Sequence, residues 1–198
     1  MINVYKFESE TEDECRLKCL DELDVYNNEI LTHEISEDNL FKMEVVKKEE
    51  VKEFIKSYLE KVTNEMGINT KFEINEDEDV FTVKMFSDNN AILIGKDGRT
   101  LKSLQNLLRQ TISNQIKFNI KINLDASNYR IKRERFFEKD IKKIINDVMK
   151  SKDEVKLDPM NSYNRRIVHS IASEYYNIET ESFGEEPERY VVIRYVEK

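Results

Sequence analysis

The chain has 198 residues, is 39% hydrophobic and 36% charged, and carries a net charge of −8, which suits one to three small domains with polar surfaces. No apolar run approaches the roughly 20 residues needed to cross a bilayer, and no basic-then-apolar segment opens the chain. Its two cysteines make no disulfide framework, so a cytoplasmic protein is expected.

The charge is unevenly laid out. Residues 1–90 hold 11 Lys/Arg against 24 Asp/Glu, residues 91–150 hold 14 against 6, and residues 151–198 hold 7 against 10. An acidic chain thus contains a basic block, where a phosphate-binding surface is expected.

In chain order, residues 2–7 read as a short strand. Thr11 and Glu14 form a capping-box pattern opening a helix through about Leu23, with Leu17, Leu20 and Leu23 inward. Segments near 29–36 and 40–47 alternate as strands, completing a β-α-β-β unit. Val51, Phe54, Ile55, Tyr58, Leu59, Val62 and Met66 then fall at helical spacing, and Gly67 is placed as the C-cap. Strands follow at about 70–75 and 79–86, split by an acidic turn from Asn75 to Asp79.

Only four glycines occur, where average usage gives roughly fourteen. Gly95 and Gly98 lie three apart in Ile92-Leu93-Ile94-Gly95-Lys96-Asp97-Gly98-Arg99-Thr100-Leu101, after an apolar run that reads as a short buried element. Leu101, Leu104, Leu107, Leu108 and Ile112 recur at helical spacing, so a helix starts within a residue or two of Gly98. Free backbone N–H groups there, beside Lys96, Arg99 and Lys102, make a phosphate-binding arrangement, while Asp97 carries the opposing charge. The spacing is neither that of a Walker loop nor that of a dinucleotide loop. It is the G-x-x-G of KH domains, which clamps the backbone of about four nucleotides. Ile94 to Gln105 resembles a KH signature.

Ile116, Phe118, Ile120, Ile122 and Leu124 alternate with polar residues as a strand. The resulting order α-β-β-α-α-β over 48–126 is that of the type II KH fold. A long helix from about Asn128 to Met149 is apolar at Phe137, Ile141, Ile144, Ile145 and Val148, with Arg130, Lys132, Arg133 and Arg135 in its first turns. Among the interleaved aromatics Tyr129, Phe136 and Phe137, Phe137 reads as core and Tyr129 as a base contact. The helix would act as a spacer of roughly 30 Å. A break from Ser151 to Pro159 leads to a helix near Asn161 to Tyr176 and a last strand from Arg189 to Val196.

In Tyr163-Asn164-Arg165-Arg166-Ile167-Val168-His169, Arg165 and His169 share one helix face, while Val168, Ile171, Ala172 and Tyr175 point into a core. A guanidinium and an imidazole on one exposed turn, with Arg166 adjacent, hold phosphate and stack on an unpaired base. Arg-x-x-x-His is the signature that names a small single-stranded nucleic-acid-binding domain. Leu157-Asp158-Pro159-Met160 and Glu179-Thr180-Glu181-Ser182-Phe183-Gly184-Glu185-Glu186-Pro187-Glu188-Arg189 around it strengthen the match.

Both modules in this order resemble the bacterial Jag family, the larger of two KH-type RNA-binding proteins in many Gram-positive bacteria. Residues 1–47 match that family's N-terminal domain in length and order, but Asp38-Asn39-Leu40-Phe41-Lys42-Met43 stands where the family's lysine motif belongs. The resemblance implies a non-enzymatic RNA chaperone or post-transcriptional regulator of single-stranded RNA. It further implies a smaller single-KH partner or a homodimer, and effects on cell elongation, division and peptidoglycan homeostasis. The expected fold is α+β in three small domains: the N-terminal unit at 1–47, a type II KH domain at 48–126, and the basic helix with an α/β domain at 127–198. The competing reading is a protein scaffold, with the KH fold as a dimerisation surface, an acidic N-terminal partner site and a link to membrane-protein insertion.

Other constellations are weaker. Cys15, Cys19 and His33 lack a fourth metal ligand and read as buried thiols on the Leu17/Leu20 side of their helix. Neither His33 nor His169 sits in a nucleophile motif. The carboxylates Glu76 to Asp79, and Glu185 with Glu186, read as solvated turns rather than magnesium sites. No cofactor, metal or small-molecule substrate is expected.

Overall fold

A computed structural model describes residues 1–37, 40–116 and 119–197. They form two compact units, Met1–Tyr129 and Arg130–Lys198.

The first unit opens with β1 (Tyr5–Ser9), α1 (Glu12–Leu23), β2 (Ile30–Glu37) and β3 (Leu40–Lys47), the strands forming an antiparallel sheet in the order β1-β3-β2. Thr11 caps α1 as expected, its hydroxyl accepting from the Glu14 amide at 3.3 Å. The inner side of α1 differs from expectation. Cys15 and Cys19 are fully buried against Phe7, Ile30, Met43 and Val45, with Leu20 and Leu23 packed beside them. Leu17 is 68% exposed, because two residues' rotation from either thiol carries it to the far side of the helix. Strand β3 is covered on both faces: Met43 and Val45 join that small core, while Val46, with Leu31 and Ile2, joins the next one.

Helix α2 (Lys48–Glu65) follows β3 directly and buries Val51, Ile55 and Leu59. Met66 is its C-cap, and Gly67 is the next residue, at φ +70°. The Ile68 amide bonds to the Thr63 carbonyl at 2.9 Å and the Gly67 amide to that of Asn64 at 2.9 Å, closing the helix end. The hairpin β4 (Thr70–Asp77) and β5 (Val80–Ser87) is longer than expected, turning only at Glu78 and Asp79. Glu76 lies within the strand, held by Lys48 and Lys52 of α2, each at 2.8 Å. Burial opposes its charge, but the hydrogen bonds from both lysines outweigh that and hold its carboxyl below the ordinary value.

Helices α3 (Asn90–Ile94) and α4 (Arg99–Ile116) lead to β6 (Lys121–Ala126), which pairs parallel with β5 in a sheet ordered β4-β5-β6. The strand expected from Ile116 starts later. Ile116 extends the buried i, i+4 row of Leu104, Leu108 and Ile112, so helical packing overrides the alternation there. Phe118 lies outside the described residues. Leu107, read as part of the stripe, is 53% exposed on its flank. Two polar side chains of α4 tie it to β6: the buried Gln105 accepts from the Leu124 amide at 3.0 Å, and Arg109 donates to the Ile122 carbonyl at 2.6 Å.

The remaining elements are α5 (Tyr129–Ser151), β7 (Val155–Lys156), α6 (Ser162–Ala172), β8 (Ile178–Phe183) and β9 (Tyr190–Tyr195). The strands make an antiparallel sheet ordered β7-β9-β8. Ile141, Ile145 and Val148 of α5 pack with Val168, Ile171 and Ala172 of α6 and with Ile178, Val191 and Ile193. The later turns of α5 are therefore part of a core, not a free spacer. Helix α6 is capped by Asn161, whose side chain accepts from the Asn164 amide at 2.9 Å, and it ends at Ala172, short of Tyr176.

Candidate nucleic-acid interface

The glycine loop joins α3 to α4 through one 3-10 turn, Lys96–Gly98. Gly95 has φ +71° and ψ −179°, a conformation open essentially to glycine alone. A Cβ there would meet Thr100 Oγ1 at 2.1 Å. Asp97 follows in the left-handed region at φ +55°, which a short polar side chain tolerates. Gly98 stands at φ +77°, and a Cβ on it would come within 2.7 Å of Tyr129 Cε1. The second glycine thus admits the Tyr129 ring. Tyr129, expected to stack on a base, is half-buried against the core of the first unit and lies against the loop backbone.

Two of the amides expected to face phosphate have protein acceptors. The Gly95 amide bonds to the Ala91 carbonyl at 2.9 Å, and the Gly98 amide to that of Gly95 at 3.3 Å. These bonds close the loop and fix its shape. Lys96, Arg99 and Lys102 are exposed around it, and Ile94 is half-buried, packed on the core. The arrangement is a rigid backbone turn at a helix N-terminus ringed by cations, suited to anionic oxygens. Arg130 and Arg133 are exposed on the first turns of α5.

The Arg165–His169 pair is built differently. The sequence places both on one exposed turn, but Arg165 is only 8% exposed. Its Nη1 donates to the Met160 carbonyl at 2.7 Å and to Glu186 Oε1 at 2.8 Å. This fastens the chain before α6 to the segment between β8 and β9. His169 is half-buried, with Nδ1 at 2.8 Å from Thr180 Oγ1 and Nε2 at 2.9 Å from Ser182 Oγ. A neutral imidazole needs one donor and one acceptor, and two hydroxyls provide them in either tautomer. Burial, and then the Arg165 charge, push its pKa below the usual 6.5. Arg166 is exposed, and a hollow of about 390 Å³ lined by His169, Ser173, Tyr176 and Thr180 adjoins the ring.

Thr180, Ser182 and Glu186 complete this cluster, yet sequence reasoning gave them no role. The signal was the i, i+2 placement of two hydroxyls, which puts both on one face of a strand. Among the described residues no His, Cys, Asp and Glu group could hold a metal ion, and no helix is long and apolar enough to cross a membrane.

Comparison with known proteins accounts for both clusters. Residues 52–124 match the family model of the KhpA/KhpB KH domain. Residues 135–195 match that of the domain named for its Arg-x-x-x-His signature. The RNA-binding protein KhpB of Clostridium symbiosum is 37% identical over 149 residues, 74% of this chain and 67% of that protein. The RNA-binding protein KhpB of Bacillus subtilis is 31% identical over 140 residues, 70% of this chain and 67% of that one. The glycine loop falls inside the first match and the Arg165–His169 cluster inside the second, so the chain belongs to the Jag family, that of KhpB.

Proposed function

We propose that this chain binds single-stranded RNA, with the loop from Gly95 to Gly98 as its principal phosphate grip. The observation that carries the reading is the loop itself: two glycines in backbone conformations that side chains resist, closed by its own amides and ringed by exposed Lys96, Arg99 and Lys102. Such a turn offers an anion a fixed position at little ordering cost. Ile94 lies under the first seated base, and Tyr129 acts by holding the loop. Arg130, Arg133 and Arg166 add charge, and the hollow beside His169 takes an unpaired base against Tyr176. In this reading residues 1–47, 48–126 and 127–198 are three modules, and the protein is a cytoplasmic RNA chaperone or post-transcriptional regulator. It works with a smaller single-KH protein or as a homodimer and influences cell elongation, division and peptidoglycan homeostasis. The names of the KhpB relatives support the RNA ligand.

The test is Lys96→Asp, which sets two acids side by side in the loop. A charge-assisted contact is worth about 1.5–3 kcal/mol, so affinity for single-stranded RNA falls roughly ten- to a hundredfold, with thermal unfolding unchanged. Unaltered affinity in the folded variant overturns the loop assignment.

A further inference from the structure

Helix α5 turns Phe137, Ile141, Ile144, Ile145 and Val148 toward the core of the second unit. Its opposite side carries Lys132, Arg135, Phe136, Lys139 and Lys143, all exposed. These fall at i, i+3, i+4, i+7 and i+11, one continuous stripe about 16 Å long at 1.5 Å per residue. Phe136 is 66% exposed, the most exposed phenylalanine among the described residues. A lone exposed ring is ordinary on a protein surface. Its company here is not: four cations surround it along the stripe. The acids of the first turns lie on another side of the helix, where Glu134 accepts from the Tyr163 hydroxyl. Lys142, off the stripe, reaches Glu174 at 3.9 Å instead.

We infer that this stripe is a second contact surface for single-stranded RNA, with phosphates along Lys132, Arg135, Lys139 and Lys143 and an unpaired base stacked on Phe136. A row of cations that follows a backbone, with an aromatic ring for a base, is how sequence-tolerant single-strand binding is built. A membrane-surface helix needs a broad apolar face, and this face has one ring among charges. Charge complementarity therefore selects a polyanion, and the ring selects one that carries bases. The inference rests on RNA being the ligand and adds a surface outside the glycine loop and the Arg165–His169 cluster.

The chain contains no tryptophan, so Phe136→Trp introduces a single fluorescent reporter on the stripe. Titrated with a mixed-sequence single-stranded RNA dodecamer, its emission is quenched with the midpoint seen by anisotropy of labelled RNA. Inorganic polyphosphate, which has charge but no bases, leaves the emission unchanged. In the otherwise native chain, Phe136→Ala weakens RNA binding about five- to a hundredfold. The triple change Lys132→Ala, Lys139→Ala, Lys143→Ala makes the slope of log affinity against log salt shallower by about 2. Circular dichroism reports whether each variant keeps its fold. Emission unmoved while RNA binds, quenching by polyphosphate, or wild-type affinity in folded Phe136→Ala and triple variants overturns the inference and leaves the loop reading intact. Absence of RNA binding by the native chain overturns both.

Discussion

The glycine loop and the Arg165–His169 cluster are both phosphate-type motifs, yet the fold uses their residues in opposite senses. At the loop, the side chains turn outward and the backbone carries the constraint: Gly95 and Gly98 hold positive φ while Lys96 and Arg99 stand exposed. At the cluster, the signature side chains turn inward. Arg165 joins Met160 to Glu186, and His169 joins α6 to Thr180 and Ser182 on β8. A motif residue can therefore act by contact or by placing the residues that make contact. The two kinds separate experimentally, since a contact residue affects affinity alone and a positioning residue affects stability as well.

The largest effect is expected from Gly95→Ala. Its Cβ would meet Thr100 Oγ1 at 2.1 Å in a conformation costly for any side chain. Strain and clash together cost about 3 kcal/mol, lowering the unfolding temperature of the first unit by about 10 °C and affinity with it. An unshifted melting curve means that the loop relaxes without cost and is not the rigid grip described. Next comes Arg165→Ala, at about 2 kcal/mol of second-unit stability, from a lost buried side chain and an unpaired Met160 carbonyl. Glu186→Gln costs less, under about 1 kcal/mol, because Glu186 is 58% exposed and water takes over its contact. If Arg165→Ala leaves urea unfolding unchanged while abolishing RNA binding, Arg165 is a contact residue and the contrast between the two regions collapses.

A double-mutant cycle sharpens the contrast within the loop. Gly98→Ala collides with Tyr129 Cε1 at 2.7 Å, so it should cost about 1 kcal/mol more in the native background than beside Tyr129→Ala. Additive costs mean that Tyr129 does not brace the loop.

The smallest effect is pH dependence at His169. Its folded pKa lies below the usual 6.5, through burial and then the Arg165 charge. The unfolded chain thus takes up this proton at higher pH than the folded one. The contribution to stability is complete above about pH 6.5 and declines as pH falls toward the folded value. His169→Gln should flatten that part of the profile in urea unfolding on either side of the window. An identical slope in the variant assigns the dependence to other groups.

Much of this was legible in the sequence because local chemistry spoke directly. Sparing glycine use made Gly95 and Gly98 conspicuous, Thr11 marked its helix start, and Arg165-x-x-x-His169 named its domain. What failed was what depends on neighbours. Leu17 and Leu107 lie at helical spacing, but a periodic stripe does not say how much of it a sheet will cover. Strand β7 has two residues, and β8 carries Glu179, Thr180, Glu181 and Ser182, too polar to read as a strand before β9 pairs with it. The burial of Arg165 followed from Glu186 and Met160, which a helical wheel cannot place.

The central claim is that the chain grips unpaired RNA through a fixed backbone turn. A competition assay tests it most directly: a labelled single strand is bound, then displaced by unlabelled single strand or by duplex of equal length, at several salt concentrations. KH-type loops seat splayed bases that a duplex withholds. The account predicts that single strand competes at least tenfold better at every salt concentration, and that Lys96→Asp removes most of this advantage. Equal or better competition by duplex contradicts it.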